Sequence, residues 1–162
     1  CIPLDPFYLE YIAKKYNFDL SMINTAGHID MMMPHSMTIK ITSALNRQKK
    51  AINGSRILFL GVAYKPNIDD ARESAALKII DEAICKGGNV YYCDPFIPEV
   101  VTPEGNKLQS LEYSAAIPNE ADCVVITTNH RIFEPEFIVS NSKLIVDLRN
   151  LIRESSDKVY KL

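Results

Sequence analysis

Residues 56–61 read R-I-L-F-L-G, and this stretch decides the fold class of the chain. A short apolar run that ends in glycine is typical of a parallel strand buried on both faces. An amphipathic helical pattern follows at residues 73–86, and Gly87-Gly88 marks its end. Asp70 and Glu73 resemble a capping box at the start of that helix.

The alternation of strand and helix patterns continues toward the end of the chain. Three further apolar runs predict strands, and two stretches predict short helices. The predicted strands lie at residues 89–93 (NVYYC), 123–128 (CVVITT) and 143–148 (KLIVDL), and the predicted helices at residues 108–117 and 135–139. Strands separated by helices imply βαβ units and a mainly parallel sheet, so the sequence predicts an α/β fold.

Residues 1–50 have a different pattern, which predicts two or three helices and no sheet. Asp5-Pro6 predicts a helix start with Asp5 as the N-cap, and Asn17 predicts its end. A longer helical pattern covers residues 21–49, and Pro34 is expected to interrupt or kink it. The predicted organisation is a helical segment at 1–50 followed by a parallel-sheet domain at 51–162.

Charge and composition exclude several classes of protein. The chain has 162 residues, with 18 Lys and Arg against 20 Asp and Glu, a formal net charge of −2. This balance argues against nucleic-acid binding, which requires a basic surface. No apolar run reaches the roughly 18 to 20 residues of a membrane-spanning helix, and no secretory leader is present, so we expect a cytoplasmic protein without membrane partners. The chain opens on C-I-P without an initiator methionine, which suggests a fragment of a longer protein.

The cysteine pattern predicts no metal site. The four cysteines form no C-x-x-C pair, and the histidines are not spaced to complete a zinc site. Cys85, Cys93 and Cys123 lie in apolar runs and are expected to be buried, reduced thiols.

In parallel sheets, ligands bind beyond the carboxyl ends of the strands. This rule selects residues 61–72, 127–131 and 147–150. The first of these loops lacks the glycines of a dinucleotide-binding G-x-G-x-x-G loop, with only Gly61 present and Lys65 and Arg72 beyond it. Phosphate recognition by side-chain cations is therefore plausible, although spacing alone does not name the ligand.

Three segments resemble the UDP-glucose/GDP-mannose dehydrogenase family. They are C-I-P-L-D-P-F-Y-L at 1–9, G-V-A-Y-K-P-N-I-D-D-A-R-E-S at 61–74 and D-L-R-N at 147–150. The resemblance implies a helical central segment followed by a Rossmann-like, UDP-sugar-binding domain. It also implies that the family's N-terminal NAD-binding domain is absent from this chain, and that NAD binds through that missing domain.

The family oxidises the C6 alcohol of a nucleotide sugar twice, using two NAD, to give a uronic acid. The resemblance implies that Cys1 is the nucleophile, whose thiolate adds to the intermediate aldehyde so that a second hydride loss gives a thioester. Asp5 matches the aspartate that assists proton transfer and the hydrolytic water. The alternatives are that Cys1 is merely the first residue of the chain and that Asp5 only caps a helix.

The resemblance also assigns binding residues. Tyr64, Lys65 and Arg149 match substrate-binding positions, and Arg72 matches an arginine that reaches the pyrophosphate of the cofactor. The alternatives are solvated cations, with Arg72 paired to an aspartate at 69 or 70. His130 follows a predicted strand end and is interpreted as structural, because a lone histidine is more often structural than catalytic.

Leu4 replaces the lysine that is usual in the glucose-type enzymes, so the sequence looks closer to the UDP-N-acetylglucosamine 6-dehydrogenase group. That group feeds surface-polysaccharide synthesis. The alternatives are UDP-N-acetylmannosamine or UDP-glucose dehydrogenase, a non-catalytic nucleotide-sugar-binding module, and a purely structural domain. We expect a homodimer formed through residues 21–50, and no activity from this chain alone.

Overall fold

The computed structural model describes residues 4–114, 118 and 120–161. The chain divides into two compact units, residues 1–36 and residues 37–162. We call them the helical unit and the sheet unit.

The first helix, α1 (Asp5–Lys15), has clear signals at both ends. Leu4 is the N-cap, and Asp5 is the first helical residue without a side-chain capping bond, so the prediction of Asp5 as the cap is wrong by one position. Pro6 suits this first turn because it needs no backbone donor there. The predicted end is confirmed: Asn17 adopts a left-handed φ of 54°, and the Phe18 N–H donates to the Ala13 carbonyl at 3.0 Å, the bond of a Schellman motif.

The second helix, α2 (Ser21–Arg47), passes through Pro34 without a break, so the predicted interruption is wrong. A proline removes one intrahelical bond, and long helical flanks on both sides can offset that loss. In the sheet unit, the last turns of α2 are also fixed by burial of Ile41, Ala44 and Leu45 in the core. In the helical unit, a Cβ built on Gly27 would lie 2.4 Å from the ring of Phe7, so this glycine allows the ring to pack closely.

The sheet unit contains a five-stranded parallel sheet. Its strands are β1 (Arg56–Leu60), β2 (Asn89–Cys93), β5 (Cys123–Ile126), β6 (Ile145–Asp147) and β7 (Val159–Lys161), and the helices that follow β1 and β5 are α3 (Ala75–Cys85) and α4 (Pro135–Asn141). The strand order is β2-β1-β5-β6-β7, and Phe59 of β1 lies opposite Tyr92 of β2 on one side and Val125 of β5 on the other. The predicted parallel sheet is confirmed, and β7 was not predicted.

Both faces of the sheet are buried, as the continuous apolar runs require. Ile57 and Phe59 pack in a cluster with residues of α2 and α3. Leu58 and Leu60 point to the other face and pack in a cluster with Ile138 of α4. The predicted α/β fold class with a parallel sheet is therefore confirmed, and the structure places helices on both faces of that sheet.

The predicted helix at residues 108–117 is wrong where the structure describes it. β3 (Glu99–Val101) and β4 (Lys107–Gln109) instead form an antiparallel hairpin, and residues 115–117 lie outside the described residues. Buried Asp81 of α3 secures the hairpin turn. Its carboxylate accepts hydrogen bonds from the Thr102 hydroxyl, from Asn106 Nδ2 at 2.7 Å and from the Glu104 N–H at 3.0 Å.

The predicted capping box at α3 is also wrong. Ser74 is the N-cap and makes no side-chain capping bond. Glu73 adopts a left-handed φ of 58°, and the Asp70 carboxylate binds Arg72 instead. Asp70 and Arg72, two residues apart, form an ion pair where the sequence predicted a capping box.

The cysteine predictions are partly confirmed. Cys93 and Cys123 are buried, whereas Cys85 is exposed, because it is the last residue of α3 and lies where the helix reaches solvent. Burial raises the pKa of the Cys93 thiol to about 12 and raises that of Cys123 as well. Among the described residues, no group of three or more acidic, histidine or cysteine side chains is arranged to hold a metal ion. None of the helices in that part of the chain combines the length and the hydropathy needed to span a bilayer.

Candidate functional site

Three loops follow the carboxyl ends of neighbouring strands. They are the β1 loop (residues 61–72), the β5 loop (residues 127–131) and the β6 turn (residues 147–150). Because β1 neighbours β5 and β5 neighbours β6, all three lie along one edge of the sheet, as predicted. From β1 the chain goes to β2 on one side and later to β5 on the other, which makes the β1/β5 boundary a topological switch point, the usual place for a ligand crevice.

Gly61 sets the path of the β1 loop. Its φ is +84°, and an added Cβ would lie 2.5 Å from the Thr128 Cβ and 2.6 Å from the Thr128 carbonyl oxygen. The hydroxyl of Thr127 donates to the Gly61 carbonyl, and the hydroxyl of Thr128 donates to the Ala63 carbonyl at 2.7 Å. The first turn of the β1 loop is thus closely packed against the β5 loop.

The buried Asp94 carboxylate binds the first two backbone N–H groups that follow Gly61 in the β1 loop. Asp94, directly after β2, is 4% exposed. Its Oδ2 accepts the N–H groups of Val62 at 2.7 Å and of Ala63 at 3.0 Å, while Oδ1 accepts the Phe96 N–H at 2.9 Å.

This arrangement does not fit a dinucleotide. In a G-x-G-x-x-G loop, the corresponding backbone N–H groups face a pyrophosphate. Here they face the protein's own carboxylate, and the space beside Gly61 is filled by Thr128. The β1 loop therefore does not form a backbone cradle for the pyrophosphate of NAD.

His130 links Asp94 to the middle of the β1 loop. Its Nε2 lies 3.0 Å from Asp94 Oδ2, and its Nδ1 accepts the Asn67 N–H at 2.9 Å. Since Nδ1 is an acceptor, the proton is on Nε2, and the neutral ring donates to the carboxylate. Asn67, at a left-handed φ of 61°, also accepts the Arg131 N–H through its side-chain oxygen at 3.0 Å.

The electrostatics of this pair follow from its hydrogen bonds. Burial by itself raises the pKa of Asp94, but the bonds from His130, Phe96 and Val62 outweigh it and hold the pKa below its ordinary value. His130 was interpreted as structural, and the structure places it in the core with both ring nitrogens bonded. The roles of Asp94 and Asn67 were missed, because the Asp-Pro pair after β2 was interpreted only as a strand end.

Tyr64 and Lys65 lie between the two anchored parts of the β1 loop. Tyr64 is half-buried, and its N–H donates to the Asp70 carbonyl at 2.7 Å. Lys65 is exposed, with Nζ 5.6 Å from the centre of the Tyr64 ring. In the described part of the chain, no acidic side chain pairs with Lys65. Its charge is therefore available to an anion at this edge.

Arg72 has a different environment. Its Nε and Nη2 donate to the two carboxylate oxygens of Asp70 at 2.9 Å each, and its backbone N–H donates to Oδ1 at 3.0 Å. The hydrogen bonds from Arg72 lower the pKa of Asp70 to about 2. The pair is solvent-exposed and contributes little to stability. The structure thus shows the aspartate pairing that the sequence left open, and the cofactor contact of Arg72 stays a prediction.

Arg149 projects from the β6 turn at the same edge. The buried Asp147 carboxylate accepts the backbone N–H groups of Arg149 at 3.0 Å and of Ile152 at 2.8 Å. The Asp147 carboxylate therefore fixes the backbone of the turn, while the Arg149 side chain is exposed. Within the residues that the structure describes, Arg149 makes no ion pair.

The two predicted catalytic residues, Cys1 and Asp5, do not belong to the sheet unit. Cys1 lies outside the described residues. Asp5 lies in the first turn of α1, in the helical unit. Of the predicted site residues, the sheet unit brings Tyr64, Lys65 and Arg149 to one edge, and Arg72 to the end of the same loop.

Comparison with known proteins agrees with this geometry. Residues 58–154 match the sequence profile of the UDP-glucose/GDP-mannose dehydrogenase family, UDP binding domain. The chain is 31% identical to a UDP-N-acetyl-D-mannosamine dehydrogenase of Methanocaldococcus jannaschii, over 100% of this chain and 37% of that protein. It is also 31% identical to a UDP-glucose 6-dehydrogenase of Rhizobium meliloti, over 99% of this chain and 37% of that protein.

Solved structures give the same result. The fold is similar to that of a UDP-D-ManNAc dehydrogenase from Pyrococcus horikoshii, with a TM-score of 0.80 and 26% identity over 99% of this chain and 37% of that one. The chain therefore spans little more than a third of the length of these relatives. The profile match covers more than half of the chain and includes the β1 loop, the β5 loop and the β6 turn. The chain belongs to the UDP-glucose/GDP-mannose dehydrogenase family, and residues 58–154 correspond to its UDP-binding domain.

Proposed function

We propose that this chain is the central helical segment (1–50) and the UDP-sugar-binding domain (51–162) of an NAD-dependent nucleotide-sugar 6-dehydrogenase. Its substrate is a UDP-N-acetylhexosamine, UDP-N-acetylglucosamine, whose C6 alcohol it oxidises to the uronic acid. One observation carries the binding half of this proposal. Lys65 and Arg149 are exposed at the ligand edge and make no ion pair with any described residue, whereas Arg72 is already paired.

These cations suit a diphosphate for a physical reason. The first two backbone donors after Gly61, at Val62 and Ala63, are occupied by Asp94, so an anion at this point of the loop is recognised by side chains. Lysine contributes a point charge and arginine a planar fork that binds two oxygens. Tyr64, beside Lys65, adds an aromatic surface to the same loop.

The chemical half of the proposal assigns the reaction to Cys1 and Asp5. Loss of a hydride and a proton from the C6 alcohol gives an aldehyde, and the Cys1 thiolate adds to its carbon while the oxygen takes up a proton. Loss of a second hydride and of the hydroxyl proton gives a thioester, and water cleaves it to the acid and the free thiol. Asp5 handles the protons of these steps. NAD supplies the hydride acceptor, and we place its pyrophosphate cradle outside the described residues, because the β1 loop does not form one.

The same proposal covers the assembly and setting of the protein. It forms a homodimer through residues 21–50, is cytoplasmic, and serves surface-polysaccharide synthesis, and this chain alone does not turn over substrate. Hydride transfer by the purified chain would contradict the last statement.

Two alternatives concern the sugar and the chemistry. The names of similar proteins include UDP-N-acetyl-D-mannosamine and UDP-glucose dehydrogenases, so these two sugars are the competing substrates. A non-catalytic binding module would need no activated cysteine. Iodoacetamide labelling of Cys1 across pH separates the enzyme from the binding module. A depressed pKa of the Cys1 thiol supports the enzyme, and an ordinary pKa supports the binding module.

Calorimetric titration with UDP-N-acetylglucosamine tests the binding proposal. We expect binding by the unsubstituted chain and a loss of at least about tenfold in affinity for Lys65→Ala and for Arg149→Ala. Lys107→Ala is the matched control, because Lys107 is an exposed lysine of the β3–β4 hairpin. Equal affinity in all four proteins, or no binding by any of them, would contradict the proposal. Titrations with UDP-N-acetylmannosamine and UDP-glucose then rank the sugars.

A further inference from the structure

Tyr64 and Lys65 lie on a loop that has few regular backbone bonds of its own, so something else has to fix them. The β1 loop follows a left-handed turn at Gly61 and contains a second left-handed residue, Asn67. One backbone bond, from the Tyr64 N–H to the Asp70 carbonyl, closes it locally. The Asp70–Arg72 pair also lies within the loop, and the remaining hydrogen bonds described above come from outside it.

Two buried polar side chains, Asp94 and His130, supply three of those hydrogen bonds. Asp94 binds the backbone on one side of Tyr64 and Lys65, at Val62 and Ala63. His130 binds the backbone on the other side, at Asn67. Tyr64 and Lys65 therefore lie between two fixed backbone positions, Ala63 and Asn67, which are four residues apart in the chain.

The two side chains form one connected unit. The His130 ring donates to Asp94 and accepts from Asn67, so a change in either residue alters both fixed points. The ring is also enclosed by aromatic side chains, with its centre 5.2 Å from that of Phe96 and 5.4 Å from that of Phe133. A buried, fully bonded network of this kind favours one conformation over its alternatives.

We propose that Asp94 and His130 are positioning residues for anion recognition, which set the place of Lys65 without touching the ligand. The proposal rests on the proposed function, because it assigns Lys65 to a UDP-sugar. It predicts that the affinity for UDP depends on the Asn67–His130–Asp94 connection and not merely on the stability of the sheet unit.

The experiment is calorimetric titration of the 162-residue chain with UDP. We expect His130→Ala to weaken binding about tenfold, the effect of losing one well-placed hydrogen bond to a charged group. His130→Gln, which keeps a donor for Asp94, should restore most of that affinity. Should His130→Ala fail to fold, His130→Asn replaces it, because it keeps an acceptor near Asn67 and loses the bond to Asp94.

Asp81→Asn is the matched control for Asp94→Asn. Both are buried carboxylates that accept at least three hydrogen bonds in the sheet unit, but Asp81 holds the β3–β4 hairpin. We expect Asp94→Asn to lose affinity and Asp81→Asn to keep it at similar cost in stability. An equal loss of affinity in both would assign the effect to general loosening and overturn the proposal.

A double substitution identifies the route of the effect. If His130 acts through Lys65, then His130→Ala with Lys65→Ala binds UDP no more weakly than Lys65→Ala alone. Additive losses would overturn the proposal, as would unchanged affinity in His130→Ala. Absence of UDP binding by the unsubstituted chain would instead overturn the proposed function, and with it the positioning role.

Discussion

The helical unit and the sheet unit use apolar residues in opposite ways. In α1, Ala13 is buried, whereas Tyr8, Leu9 and Tyr11 have exposed fractions of 63%, 54% and 62%. In the sheet unit, every residue from Ile57 to Leu60 is at most 1% exposed. The sheet unit therefore folds around its own core, whereas these large apolar side chains of α1 lie on the surface of the helical unit.

The largest expected effect comes from truncating a large side chain in each unit. Phe59→Ala should destabilise the sheet unit by about 3–5 kcal/mol, because it leaves a cavity in a fully buried cluster. Tyr11→Ala should change stability by about 0.5 kcal/mol or less, because it removes an exposed side chain. Urea unfolding of both variants measures the difference, and equal losses would break the contrast between the units.

Two glycines sharpen the contrast within the sheet unit. Both have left-handed φ values, +84° at Gly61 and +80° at Gly54, but only Gly61 has neighbouring atoms where a Cβ would lie. Gly54→Ala should cost about 1 kcal/mol for the backbone conformation alone. Gly61→Ala should cost clearly more and should also displace the β1 loop. Thermal unfolding checks the first effect, and UDP titration checks the second.

Acid provides a third test, which concerns Asp94. Since the pKa of Asp94 is lower in the folded chain than its ordinary value of about 4, its stabilising effect is complete above pH 4–5 and is lost as the pH falls through the folded pKa. Asp94→Asn should therefore cost about 1–3 kcal/mol at pH 7, and the difference from the unsubstituted chain should shrink below about pH 4. Unfolding free energies measured by urea at pH 7, 4 and 3 decide this. A difference independent of pH would show that the carboxylate charge does not matter.

The smallest effect on stability is expected on the exposed face of α2. Met32 is 47% exposed, so Met32→Glu should leave the unfolding free energy of the chain nearly unchanged. If residues 21–50 form the proposed dimer interface, Met32→Glu places a charge in that interface, and the mass in solution should shift toward that of the monomer. Sedimentation or light scattering gives that mass, with Lys107→Glu on the hairpin as a control. An unchanged mass for Met32→Glu would remove this part of α2 from the interface.

The sequence predicted those parts of the fold that depend on local pattern. The apolar runs at β1, β2 and β5 are long enough to identify buried strands, and their order implied the parallel sheet. The β3–β4 hairpin was missed, and the predicted helix at residues 108–117 overlaps the end of β4, because strands of three residues have almost no period of their own. The interruption predicted at Pro34 is wrong, because the helical residues on both sides can offset the one backbone bond that a proline removes.

In the candidate site, too, residues in local motifs were predicted and residues joined by long-range contacts were missed. Tyr64, Lys65 and Arg149 were selected because motifs mark them in the sequence, and the strand order places them at one edge. Asp94 and its link to His130 were missed, since that link joins residues 36 positions apart on different strand ends. Such a contact exists only after the sheet has formed, and no local pattern reports it.

The carboxylate beneath the β1 loop has a consequence for how this site can change. A glycine cradle offers the same backbone donors whatever residues surround it, so its preference for pyrophosphate is difficult to alter. Here Asp94 already binds the backbone N–H groups of Val62 and Ala63, and the positive charge that a ligand meets belongs to individual side chains. Single substitutions at Lys65 or Arg149 can therefore redesign which anion this edge accepts without redrawing the path of the loop.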